Sequence, residues 1–250
     1  MRHLTDLPRF LFLVSFVVLW LSAEIGVFVG RQFRIHEDSR DDFDIVLAAT
    51  LTLLGLIIGF SFSMATSRYD LRKNYEEAEA NAIGTEYVRA GLLPSDATRS
   101  VQDLLGKYLA QRILFYTTSD KRQLAQVNAY TTTLQGQMWS AVQNAAVTKP
   151  TPLNALVASG MNDVLNSQSY TQAAWLKRIP AAAWKLMVAI ALCCNFLLGY
   201  GARKPWNALL LILPLVLAIA FFLIADIDSP GSGVIRVMPE NLISLSRSLH

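Results

Sequence analysis

"GLIIGFSFSMATSRYDLRKNYEEAEANAIGTEY", Gly55 to Tyr87, decides how this chain is read. The stretch opens as hydrocarbon and closes as a charged chain, and neither a proline nor a turn cluster marks the change. In lipid every backbone N–H and C=O has to be bonded within its own segment, so a run that leaves a bilayer without a break reads as one continuous helix. From Ile45 to Ala90 there is no proline, and the glycines are Gly55, Gly59 and Gly84. A helix over that run is about 70 Å long at ~1.5 Å per residue, enough to cross a membrane and project well beyond it.

Composition agrees. Of 250 residues, 53% are hydrophobic and 16% charged, against about 25% charged in a soluble domain. The apolar residues collect into runs near the roughly 20 residues that span a bilayer core: Phe10 to Gly30, Ile45 to Thr66, Ala181 to Tyr200 and Trp206 to Ala225. Pro180 and Pro205 stand just before the last two, a position that suits a helix start. Arg2 and Arg9 precede the first run, but that run is longer than a signal-peptide core and lacks a small-residue cleavage site, so a retained span is expected. Trp20, Trp184, Tyr200 and Trp206 are candidate interface anchors. With the N-terminus inside, the inner side receives Arg2, Arg9, Arg68, Arg72, Lys73, Lys177, Arg178 and Arg236, and the outer side Arg31, Arg34, Arg40, Arg203 and Lys204. That bias puts both termini in the cytoplasm.

Between spans two and three the period is helical. Val101, Leu104, Leu105, Tyr108 and Leu109 form one stripe. Leu124, Val127, Thr131, Leu134, Met138, Ala141 and Val142 form a second, and Leu153, Leu156, Val157, Met161, Val164 and Leu165 a third. Breaks fall at 92–95, with Ser95 a candidate N-cap, at 117–120 and at 149–152. Three cytosolic helices packed on the inward extension of span two are expected. The tail "DIDSPGSGVIRVMPENL", Asp226 to Leu242, is rich in Gly and Pro, and Val234 to Val237 reads as one short extended piece. The expected fold is an all-α membrane protein: four transmembrane helices with a helical cytosolic domain inserted between spans two and three. Its parts are 1–66, 67–179, 180–225 and a cytosolic tail at 226–250.

Candidate functional residues lie mainly on span two. Gly55, Gly59, Ser63 and Thr66 make a small-residue face that lets another helix approach closely. Thr52, Leu56 and Phe60 lie on a second face. Either the small face packs within one subunit, or copies of the helix ring an axis and Thr52, Leu56 and Phe60 form an apolar constriction that gates by dewetting. Glu24 is an intramembrane acid, read as an ion-path group or as an interfacial residue paired with Arg31 or water. Asn195 is expected to bond across helices. Arg68, Asp70, Arg72, Lys73, Glu76, Glu77 and Glu79 read as a solvated face laced by ion pairs, with Arg68 and Asp70 as inner-mouth charges if a ring forms.

Several classes drop out. Cys193 and Cys194 are adjacent, and His3, His36 and His250 lie far apart, so neither a disulfide framework nor a metal or cofactor site is expected. Asp41, Asp42 and Asp44 lack the EF-hand pattern. A net charge of +3, spread along the chain, offers no nucleic-acid patch. The nucleophile-elbow, phosphate-loop, zinc-helix and dinucleotide-turn motifs of enzymes are missing from the sequence.

The segment "IIGFSFSMATSRYDLRKNYEEAEANAIGTEYVRAGLLP", Ile57 to Pro94, resembles a signature of the bestrophin-like family of bacterial membrane proteins, and the tail resembles that family's ending. Through it the chain is distantly similar to the bestrophins, whose second span reads through a Gly-Phe and a Thr-Arg-aromatic, as Gly59-Phe60 leads here to Ser67-Arg68-Tyr69. The resemblance implies a homo-oligomeric, most often pentameric, anion-conducting channel of the bacterial inner membrane, in contact with lipid and inorganic ions such as chloride. It also implies a neck at i, i+4, i+8 of span two, here Thr52, Leu56 and Phe60. The acid cluster that holds calcium in animal bestrophins has no counterpart here beyond Asp226 and Asp228, so calcium gating is not expected. A non-conducting scaffold or sensor, whose cytosolic bundle docks a partner, is the alternative.

Overall fold

A computed structural model describes residues 8–33, 39–202, 208–231 and 233–249, apart from the side chains of 8, 9 and 209. Readings made above for Arg2, His3, Arg34, His36, Arg203, Lys204, Pro205, Trp206 and His250 lie outside the described residues. Among those described, all regular structure is helical: α1 (Pro8–Gln32), α2 (Arg40–Arg89), α3 (Ser95–Thr117), α4 (Lys121–Thr148), α5 (Pro152–Leu176), α6 (Ala181–Tyr200), α7 (Ile212–Asp228) and α8 (Glu240–Ser248). Short 3-10 turns occupy Ala90–Leu92 and Ala208–Leu211. The helix expected from Ile45 is unbroken and starts earlier, giving α2 a length of 50 residues, about 75 Å.

The chain folds as two compact units, Met1–Arg68 with Arg178–Arg236, and Tyr69–Lys177 with Val237–His250. In the first, α1 packs against α6 and α7. Three glycines set the α1–α6 approach. A Cβ on Gly26 would overlap the Phe196 carbonyl oxygen, one on Gly30 that of Tyr200, and one on Gly199 that of Ala23. Ser22, one turn before Gly26, donates its hydroxyl to the Leu192 carbonyl at 2.9 Å. Small residues at 22, 26 and 30 thus do on α1 what was expected of Gly55 and Gly59 on α2: they let two backbones touch.

By length and composition, helical runs within Phe10–Gln32, Arg40–Leu92 and Pro152–Tyr200 suffice to cross a bilayer. The fourth apolar stretch is divided. A 3-10 turn precedes α7, which has 17 residues and includes Asp226 and Asp228 at its end.

The second unit is built by α3, α4 and α5 around the charged half of α2, with α8 added from the tail. Val101, Leu105, Tyr108 and Leu109, then Val127, Leu134, Met138 and Val142, then Val157, Met161 and Val164 form its core. Leu153 and Leu156, counted above in the third stripe, are exposed: the buried face of α5 runs through Asn154, Val157, Met161 and Val164, and Asn154 already bonds to the Ala145 and Lys149 carbonyls at the end of α4. Asp120 caps α4 through the Arg122 N–H, and Thr151 caps α5 through the Asn154 N–H. Ser95 is no cap: Pro94 holds that position, and the hydroxyl that closes this corner is that of Thr98, bonded to the Ala90 and Leu93 carbonyls. The piece Val234 to Val237 is not a strand. Its start bends because the Val234 and Ile235 N–H groups turn to the Asp226 carboxylate at 2.7 and 2.8 Å. The nine-residue helix α8 that follows was not anticipated.

Candidate functional site: two faces of one helix

In the first unit α2 has two unlike faces. Leu54, Ser61 and Ala65 are buried against the protomer. At 100° per residue, Thr52, Leu56, Phe60, Ser63 and Ser67 fall on the far side, and all five are exposed. Leu56 is 54% and Phe60 63% exposed, high for large apolar side chains. Thr52 returns its hydroxyl to the Ala48 carbonyl at 2.8 Å, so its donor is satisfied within the helix. The line 52, 56, 60 thus carries two large apolar side chains and one hydroxyl bonded to its own helix. A Cβ built on Gly55 or Gly59 would meet nothing within 4 Å, and Ser63 beside them is exposed. Thr66 is half-buried and bonds back to the Phe62 carbonyl. The small face is thus open within the protomer.

At the end of that half, Arg68 reaches Asp228 of α7 at 3.4 Å. The other Asp228 oxygen accepts the Ile179 N–H at 3.0 Å, and the Asp228 carbonyl accepts from Arg178. Asp226 is held by two backbone N–H groups, as described. Each carboxylate oxygen of the two acids is thus engaged by an N–H donor. Among the described residues no group of three or more His, Cys, Asp or Glu is placed to hold a metal. Asp70 is exposed. Glu24 is half-buried, and its partner is the Trp20 indole N–H at 3.2 Å, four residues back on α1, rather than Arg31. Asn195 donates to the Ala191 carbonyl of its own helix at 2.7 Å and does not bridge to another.

The charged run beyond Arg68 departs most from its sequence reading. Arg72, Glu76, Glu79 and Glu86 are fully buried, on one stripe with Ile83 and Ala90. The pairs expected along the helix are replaced by bonds to other elements. Arg72 donates to the Ala174 and Lys177 carbonyls at 3.3 and 3.1 Å, closing the C-terminal end of α5, where a cation opposes the helix dipole. Glu76 accepts the Leu242 N–H at 2.9 Å and the Asn241 side-chain N–H at 2.7 Å, capping the first turn of α8. Glu79 pairs with Arg112 and accepts from Thr171 at 3.2 Å. Arg112 also lies over the Phe115 ring, 4.4 Å from its centroid. Burial, with the Glu79 charge next, drives the Tyr116 hydroxyl far above the usual tyrosine range, so it stays a donor to Glu79. The signal was available: 72, 76, 79, 83, 86 and 90 alternate steps of four and three, the spacing of a buried stripe.

Residues 10–242 match the family profile of the bestrophin-like domain. In three dimensions the chain is similar to crystal structures of a bacterial bestrophin homologue from Klebsiella pneumoniae. A tryptophan-to-alanine variant gives a TM-score of 0.68 at 13% identity, with 95% of each chain covered. A leucine-to-threonine variant gives 0.67 at 14%, covering 95% of this chain and 97% of that one. The structure obtained by Zn-SAD phasing gives 0.67 at 13%, covering 95% and 96%. No curated protein matches the sequence.

Proposed function

Because the chain belongs to the bestrophin-like family, we propose that it is a homo-oligomeric ion channel of the bacterial inner membrane, anion-conducting and pentameric. Its four crossings are α1, the first half of α2, α6 and the segment ending in α7, with both termini in the cytoplasm. The first half of α2 lines the pore, and Thr52, Leu56 and Phe60 form its neck. Gly55, Gly59, Ser63 and Thr66 receive the neighbouring copy of α2. Asp70 sets the field at the inner mouth, while the Arg68 charge is tied to Asp228.

The observation that supports this reading is the far face of α2. A line of three side chains, the two at 56 and 60 large and apolar, stands exposed at i, i+4, i+8, beside two glycines with open space. A neck of that kind holds back ions by dewetting rather than by charge. Leu56→Ala with Phe60→Ala should widen it and raise unitary current severalfold when the purified chain is fused into planar bilayers. Silence from both proteins in every salt would turn the assignment toward a non-conducting scaffold, a reading favoured by Tyr130 and Trp139, which stand exposed on α4.

A further inference from the structure

Glu86 differs from the other buried charges of its stripe. Its side chain is fully buried, yet neither carboxyl oxygen accepts a hydrogen bond from the protein. The neighbouring helix is close: a Cβ on Gly160 of α5 would overlap Oε2 and lie 3.1 Å from the carboxyl carbon, so Glu86 fills the room left by a glycine. Two charged groups face it, Arg89 on its own helix and Asp163 on α5, and these pair with each other at 4.0 Å. The 3-10 turn Ala90–Leu92, which packs on α5, carries no ionisable side chain. The guanidinium that would neutralise Glu86 is thus shared with a second acid.

An ionised carboxylate without hydrogen bonds in such a site is costly, and the group avoids the cost by keeping its proton. We propose that Glu86 is a proton-binding site of the helical unit, neutral when α2 and α5 are closed on each other, and that release of the proton to solvent loosens that contact. Burial pushes its carboxyl up to about 8, with Arg89 pulling down and Asp163 adding to the rise. The raised value fixes the sign. Below the unfolded value, near 4.5, the group has no effect on stability; as pH rises from there to about 8, the unfolded chain gives up a proton that the folded one keeps, and stability falls. The inference concerns the helical unit alone and stands whether or not the chain conducts.

The test uses the full chain in detergent. Infrared difference spectra of wild type against Glu86→Gln should isolate one protonated carboxyl band that disappears on raising the pH, with a midpoint near 8. The melting temperature of the wild type should fall across the same interval while that of Glu86→Gln stays flat. No such band, or a midpoint at the ordinary glutamate value of about 4.3, overturns the proposal. Should Glu86→Gln fail to fold, Asp163→Asn carries the test: with one negative neighbour removed the midpoint must drop, and an unchanged midpoint is equally fatal.

Discussion

Glu79 on α2 and its partner Arg112 on α3 show what a buried charge pair does. Both are fully buried and hydrogen-bonded to each other, and Thr171 supplies a further donor to Glu79. Removing one member strands the other, at a cost of about 3–5 kcal/mol, whereas replacing both with apolar residues of similar volume is often close to neutral. Arg112→Met should therefore lower the melting temperature of the detergent-purified chain sharply, and Arg112→Met with Glu79→Leu should recover most of the loss. Glu76 acts differently, through the N-terminus of α8. Glu76→Ala should release that helix, worth about 2 kcal/mol for bonds to a charged acceptor. Limited proteolysis would then cut the chain after Val237 while leaving the rest of the helical unit intact.

At the scale of the element, the two sets of small residues make opposite predictions. Gly26 and Gly199 have no room for a side chain, because carbonyl oxygens of the facing helix stand where a Cβ would go. Gly26→Leu should disrupt the first unit itself and appear as loss of folded protein. Gly59→Leu meets no atom of its own protomer, so the folded chain should survive while size-exclusion chromatography reports a smaller assembly. An unchanged elution volume would argue against helix approach at this face. These elements also show where sequence reading succeeds. Breaks at 117–120 and 149–152 were legible because Asp120 and Thr151 cap locally, and stripes such as Val101, Leu105 and Tyr108 were legible because burial repeats with the helical turn. The close α1–α6 pair was missed, although Ser22, Gly26 and Gly30 carry the same spacing as the α2 set; spacing marks a small face without naming its partner. The charged stripe was misread because the groups that bury Arg72, Glu76 and Glu79 lie about 30 to 170 residues further along the chain. Helix α8 was hidden behind the Gly and Pro that precede it.

For the molecule as a whole, the bestrophin-like family membership rests on the match over 10–242 and gives the fold its frame. Conduction and stoichiometry are what electrical recording and particle imaging of the purified assembly decide. Calcium is a further molecular-scale test. Asp226 and Asp228 already accept from backbone N–H groups and Arg68. Adding a chelator or millimolar calcium should leave both the melting temperature and any current unchanged, and a calcium-dependent shift of either would refute this account of the two acids.

Val237 and Leu242 are buried in the core of the helical unit although they are encoded long after α3, α4 and α5. A ribosome making this chain releases Tyr69 to Lys177 long before those two residues exist, so the nascent bundle waits with an open seam while α6 and α7 are being synthesised. Closure has to wait until the stretch after α7 has been made. Premature stop codons downstream of α7 should accordingly yield polypeptides that insert yet expose that seam, and quality-control proteases would be expected to clear them.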